Sequence, residues 1–287
     1  MASGVAAQAA QKDGPIEAIR LTDTISLFTG AGANVVAARG EEGVVLVDGG
    51  SQEKSRALLK AIQKELAERK VHALFNTHWH SAHTGSNELL GRDGVKIIAH
   101  ANTKLWLSTD ITLPWQNKTY KPLPPVALPN EIIYDSGTLQ MGDEEVRYGY
   151  LLQAHTDGDI YVFFPKSNVL VTGGLIAGDA WPIIDWYTGG WIGGLVQGLT
   201  TLAGIANDQT RIVPGNGPVI TKADLEAQRA MFATIFDRLQ KSLRKGLGPE
   251  EALALGPTAE FDAKYGDPRQ FVTMAFRSLW SVLSPDA

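Results

Sequence analysis

The chain has 287 residues, 44% hydrophobic and 20% charged, with a net charge of −5, enough length and apolar content for one large core. It contains no cysteine, which excludes disulfides, thiolate ligands and a Cys nucleophile and leaves His, Asp and Glu as the metal-binding side chains. The acidic balance, without a run of Lys or Arg, argues against a nucleic-acid or anionic-membrane partner and for a small-molecule substrate.

Residues 1–15 read as an N-terminal tail or the remnant of an export signal. Ala2 to Gln11 is small and mildly apolar with an Ala-x-Ala pattern at Ala7 and Ala9, without a basic region or a long apolar core. Residues 16–287 read as a single domain, with the oligomeric state left open. No apolar run reaches the roughly 18 residues that span a bilayer, so the expected protein is soluble, cytoplasmic or periplasmic after signal removal.

Short β-rich runs are predicted at 25–28, 33–38 and 43–47, separated by glycine turns. Ser51 then opens a helix in which Leu58, Leu59, Ile62 and Leu66 recur at helical spacing. Residues 72–75 read as a buried strand, and this β-α-β order brings the next segment to a strand's carboxyl end, where α/β sheets hold ligands. Residues 108–130 hold a dense set of prolines and read as a long irregular loop. A second set of strands is predicted at 132–134, 139–141, 145–151, 160–164 and 169–172. Thr221 and Asp224 have the spacing of a capping box, ahead of a helix with Leu225, Phe232, Ile235, Phe236, Leu239 and Leu243 on one face. Two strand-rich halves, each followed by helices, predict two packed sheets with helices outside.

The segment Asn76-Thr77-His78-Trp79-His80-Ser81-Ala82-His83 holds three of the six histidines. Two histidines two apart on extended backbone point the same way and can share one ion. This segment resembles the HxHxDH signature of the metallo-β-lactamase fold superfamily, with Ala82 where the pattern has Asp. Val47-Asp48-Gly49-Gly50 is similar to the family's VDxG, and Ala154-His155-Thr156-Asp157-Gly158-Asp159 to its AHTxGD. The C-terminal stretch from Pro257 to Gly266 resembles the tail of a hydrolase-like subgroup.

The resemblance implies an α/β fold, an αββα sandwich of two mixed β-sheets flanked by helices. It also implies that His78, His80 and His155 bind one divalent metal, zinc above others, with Asp48 supporting a ligand from behind. Three expected contributors to a second metal are replaced, by Ala82, by Gly174 in Thr172-Gly173-Gly174-Leu175, and by Asn216 in Pro214-Gly215-Asn216-Gly217-Pro218. Neither Ala nor Gly can bind zinc, and an amide binds it poorly, so a mononuclear site is expected. The combined substitutions Ala82→Asp, Gly174→Asp and Asn216→His are expected to raise zinc uptake toward two.

His83, Asp179 and Asp159 are the candidates for proton transfer, with Asp157 a further carboxylate after His155; each carboxylate reads equally well as a turn or capping group. Asn216, Trp79, Trp181 and Trp186 are expected near the pocket, and the tryptophan-rich segments suggest an apolar or aromatic substrate. Three functions compete. The first is metal-dependent hydrolysis of an ester, lactone or amide, the second a metal-assisted lyase or isomerase, and the third a non-catalytic binding protein on the same fold.

Overall fold

The computed structural model describes residues 14–283; the candidate export signal at residues 2–11 lies outside them. Strands β1 (Glu17–Arg20), β2 (Ile25–Thr29), β3 (Val35–Arg39) and β4 (Val44–Val47) form an antiparallel meander. Val36, Ala38, Val45 and Val47 face one core, while Val35, Ala37, Val44 and Leu46 face another. Both faces are therefore covered, which is why β3 and β4 read as continuous apolar runs rather than alternating ones.

Helix α1 (Ser55–Leu66) lays Leu58, Ile62 and Leu66 against the outer face of this sheet. It starts four residues after Ser51, because Ser51 makes no side-chain cap and residues 52–54 form a 3-10 turn first. Strand β5 (Val71–Phe75) then pairs parallel to β4. Short helices α2 (Ser81–Thr84) and α3 (Asn87–Arg92) lead to β6 (Lys96–His100), which runs parallel to β5, and to α4 (Ala101–Leu107).

The predicted irregular loop contains a small hairpin, β7 (Ile111–Leu113) and β8 (Lys118–Tyr120). Asn117 turns the chain there in the left-handed region at φ 50°, and Ile111 and Leu113 bury against Trp79 and Leu107. Proline density hid this hairpin from a reading of periodicity. Strand β9 (Glu131–Ile133) completes a seven-stranded mixed sheet in the order β1-β2-β3-β4-β5-β6-β9.

The second sheet contains β10 (Ser136–Met141), β11 (Glu144–Tyr150), β12 (Ile160–Phe164) and β13 (Val169–Val171), all antiparallel neighbours. After α5 (Ile192–Ile205), β14 (Arg211–Val213) adds parallel to β13, so this sheet is mixed as well. Helix α6 (Lys222–Arg244) begins at the predicted capping box, with Thr221 and Asp224 bonding each other's backbone N–H. Helices α7 (Pro249–Ala254), α8 (Asp262–Tyr265) and α9 (Arg269–Leu283) follow, and residues of α5, α6, α7 and α9 form one core with Leu170 and Ile212 of the second sheet.

Between the sheets, Val36, Val45, Phe75 and Ile98 meet Val146, Val162, Phe164 and Val213 in a common core. The result is the αββα sandwich that the resemblance implied. No helix among the described residues is long and apolar enough to cross a membrane. At one end of the sandwich, Ile160 N donates to Thr77 O at 2.9 Å. This bond ties the segment after β5 to the start of β12 and brings two segments 83 residues apart in sequence into contact.

Candidate metal centre

Each of His78, His80 and His155 offers a ligand atom, and these atoms lie within 4.8 Å of one another. His78 and His80 follow β5 on an extended segment, and His155 lies in the turn between β11 and β12. The rings of His78 and His155 are 4.8 Å apart, as are those of His80 and His155, and both pairs stand nearly perpendicular. Edges rather than faces converge.

Each ring has a separate partner for its other nitrogen, and together these partners determine which nitrogens are free. His155 Nδ1–H donates to the Ile183 carbonyl at 2.6 Å, leaving Nε2 as the lone pair. His80 Nε2–H donates to Asp185 Oδ2 at 3.0 Å, leaving Nδ1. Thr77 Oγ1 donates to the Asp48 carboxylate at 2.9–3.0 Å and so accepts from His78 Nδ1–H at 3.0 Å, leaving Nε2. Such outer partners set tautomer and orientation in histidine metal sites. The free nitrogens His155 Nε2 and His80 Nδ1 are 3.1 Å apart, and two lone pairs this close repel unless a proton or a cation lies between them.

Electrostatics agree with a cation. Burial, with the neighbouring imidazoles His83, His155 and His80, holds the His78 pKa well below its ordinary value. Burial, followed by the nearby His80, holds His155 down at about 3. Both rings are thus neutral ligands at pH 7. Two buried carboxylates back them, Asp48 and Asp185, and neither is paired to Lys or Arg among the described residues. Burial pushes Asp185 up, but the His80 hydrogen bond and charge, with the Thr188 hydroxyl, outweigh it and leave the group below its usual range. Asp185 Oδ1 has no hydrogen-bond partner. Buried anions require compensating positive charge, and a divalent ion held by the three imidazoles would supply it. The residues fit a metal.

Asp48 sits at the end of β4 with φ 66°, a conformation uncommon for a residue with a side chain. That turn directs its carboxylate to Thr77 N at 2.8 Å, to the Thr77 hydroxyl, and to His83 Nδ1 at 2.7 Å. Asp48 therefore supports His78 through Thr77 and His83 directly.

The remaining sequence-predicted residues lie in different places. Asp159 bonds Thr156 N at 2.7 Å and Thr156 Oγ1 at 3.0 Å, so both of its oxygens close a turn, and burial raises its pKa well above the usual range. Asp179 is exposed and lines a cavity of about 480 Å³ bordered by Pro214, α6 and Tyr265, whose lining includes none of the histidines. Trp181 stacks on Phe271 at 4.7 Å and donates to Gly266 O, and Trp186 packs on Tyr187 with Arg277 over its ring. These two brace α9 and its approach through Phe271 and Arg277. Trp79 is buried, with its ring 4.7 Å from that of His80.

Asn216 is half-buried on a loop whose neighbours are firmly tied. Asn34 Nδ2 donates to Pro214 O at 2.9 Å and Gly217 O at 2.8 Å, and Gly215 N donates to Gly173 O at 2.7 Å. Replacing Asn34 by Ala strips two carbonyls of their donor and is expected to cost about 2 kcal/mol. The check is a lowered urea midpoint with unchanged slope.

The sequence reading missed Thr77, the Ile183 carbonyl, Asp185 and Thr188. Asp185 carried a signal, since it is a lone carboxylate following two isoleucines in a segment already singled out for its aromatics.

A mixed-sheet sandwich with three clustered imidazoles at one end defines an α/β protein with a group that could hold a metal ion. The sequence pattern of the Metallo-beta-lactamase superfamily matches residues 28–237, and the chain belongs to that superfamily. It is 29% identical over 136 residues to metallo-beta-lactamase IND-1 of Chryseobacterium indologenes, an alignment covering 47% of this chain and 51% of that one. The chain thus spans about half the length of this curated relative. Its fold is similar to that of a metallo-beta-lactamase from Pontibacter korlensis, with a TM-score of 0.62 and 19% identity over 76% of this chain and 99% of that one. It is also similar to the sec-alkylsulfatase Pisa1 from Pseudomonas sp., with a TM-score of 0.68 and 15% identity over 95% of this chain and 51% of that one.

Proposed function

We propose that this chain is a mononuclear metallohydrolase. In this reading it holds one zinc ion at His78, His80 and His155 and cleaves an ester, lactone or amide bond of a small apolar or aromatic substrate. The observation that carries this reading is three imidazoles whose ligand atoms lie within 4.8 Å of one another, with the free nitrogens His155 Nε2 and His80 Nδ1 at 3.1 Å. Zinc bound there supplies Lewis acidity to a substrate oxygen or to water.

The chain's own residues do the rest. Asp48 accepts His83 Nδ1–H, so His83 Nε2 is left as a lone pair on a ring 4.2 Å from that of His78, and it serves as the proton acceptor. Thr77, Asp185 and Ile183 keep the three ligand rings in orientation. Trp79, Leu107, Ile111 and Leu113 form an apolar cluster adjoining His80, suited to an apolar or aromatic body that excludes water. Ala82, Gly174 and Asn216 offer no carboxylate or imidazole to a second ion.

One observation favours keeping a lyase or isomerase as a second reading. Asp159 is committed to Thr156 and Asp179 lines a different cavity, so neither stands beside the imidazoles to manage water. Elemental analysis followed by a substrate panel separates the readings. The expected result is about one zinc per chain and turnover of aromatic esters or lactones. Turnover of non-hydrolysable aromatic carbonyl compounds alone would move the assignment to a lyase. Protein that holds no metal above trace, and behaves identically as His155→Ala, would leave only the binding protein.

A further inference from the structure

We infer that Thr188 and Trp79 are positioning residues for the metal ligand His80, at the end of a hydrogen-bonded chain that starts under the β7–β8 hairpin. The inference rests on the three-imidazole reading above. Thr188 is fully buried. Its hydroxyl has one proton, which it donates to Asp185 Oδ2 at 2.8 Å, and it accepts from Trp79 Nε1–H at 3.0 Å. The direction is forced, because an indole nitrogen only donates and a carboxylate only accepts.

Asp185 Oδ2 therefore receives two donors, Thr188 Oγ1 and His80 Nε2, while Asp185 Oδ1 receives none. The oxygen that orients His80 is thus the one that Thr188 holds in place. A carboxylate's terminal torsion is broad and otherwise weakly restrained, so without the hydroxyl Asp185 can turn and His80 loses its fixed acceptor. The backbone reinforces the link. Thr188 N donates to Asp185 O at 3.0 Å, and Asp157 N donates to Thr188 O at 2.8 Å, two residues beyond His155.

At the other end, Trp79 is clamped by the hairpin. Its ring meets that of Tyr120 edge-on at 5.3 Å, and it is buried among Leu107, Ile111 and Leu113. The hairpin's apolar packing is consequently continuous, through one indole and one hydroxyl, with the aim of a ligand imidazole. Residues that act behind a ligand commonly alter metal affinity when removed, while the ligand set itself stays intact.

The test compares wild type, Thr188→Val, Thr188→Ser, Trp79→Phe and His155→Ala by three measurements. These are zinc affinity by chelator competition, the visible absorption of the cobalt-substituted protein, and the melting temperature of the metal-free protein. Thr188→Val keeps the shape and removes the hydroxyl; it is expected to weaken zinc about 10- to 100-fold and to shift the cobalt absorption. Thr188→Ser should restore both, and Trp79→Phe should show a smaller loss in the same direction. If Thr188→Val lowers the metal-free melting temperature yet keeps wild-type zinc affinity and cobalt absorption, the inference is overturned and Thr188 serves only the fold. Should Thr188→Val fail to fold, unchanged affinity and absorption in Trp79→Phe overturn it equally. If wild type binds no more zinc than His155→Ala, the metal reading itself fails and the inference with it.

Discussion

His155→Ala is expected to abolish zinc retention and to lower any hydrolytic rate by about a thousandfold or more, since Lewis-acid stabilisation is worth several kcal/mol and each ~1.4 kcal/mol is tenfold. Of the three proposed ligands, His155 alone comes from the second sheet, in the turn between β11 and β12. Its removal leaves His78 and His80, a pair on one extended segment that cannot cage an ion. The fold should survive the change, because the Ala154 and Thr156 backbone keeps its own ties: Trp191 N donates to Ala154 O, and Asp159 accepts from Thr156 N. Elemental analysis alongside a melting curve checks both halves. Full metal occupancy in a folded His155→Ala protein would remove His155 from the ligand set.

Gly174→Asp, alone or with Ala82→Asp and Asn216→His, is expected to lower metal content instead of raising it. This reverses the expectation drawn from sequence, where refilling the replaced positions would rebuild a second site. A Cβ on Gly174 would lie 2.6 Å from His155 Nε2 and 2.8 Å from its Cγ, closer than carbon atoms approach. Those atoms belong to an imidazole held by the Ile183 carbonyl and cannot swing aside without breaking that bond. Overpacking of this kind costs about 1–3 kcal/mol, and displacement of the ligand nitrogen costs about 10- to 100-fold in affinity. Gly215 stands in a similar position, with its Cβ site 2.9 Å from His83 Cε1. Gly174→Ala isolates the steric effect from the charge. If the triple variant took up two zinc ions per chain, the second site would not be closed in this way.

Much of the architecture was legible from local pattern. The strands at 25–28 and 160–164 and the capping box at Thr221 lie where the sequence predicts them, because alternation, apolar runs and caps are short-range signals. The hairpin within 108–130 was not legible, since its stability comes from Trp79 and Leu107, which lie outside it. Helix α5 is glycine-rich and depends on close packing, as a Cβ on Gly198 would lie 2.7 Å from Leu175 Cδ2; no local propensity announces it.

The centre divides in the same way. Short spacing within the sequence singled out His78 and His80, while the resemblance to the superfamily's motifs implied His155 and marked Ala82, Gly174 and Asn216 as replacements without donor groups suited to zinc. Those facts are local chemistry, carried by each side chain wherever the chain places it. Tertiary structure alone decided which ring nitrogens are free, because the Ile183 carbonyl and the Asp185 carboxylate accept from His155 and His80, and the Asp48 carboxylate sets the direction of the Thr77 hydroxyl beside His78, all three distant in sequence from the rings they orient. It also decided that the space beside Gly174 is already occupied by His155. Hydrogen-bond partners and steric room are properties of packed neighbours, and those neighbours meet only when both sheets close on one another.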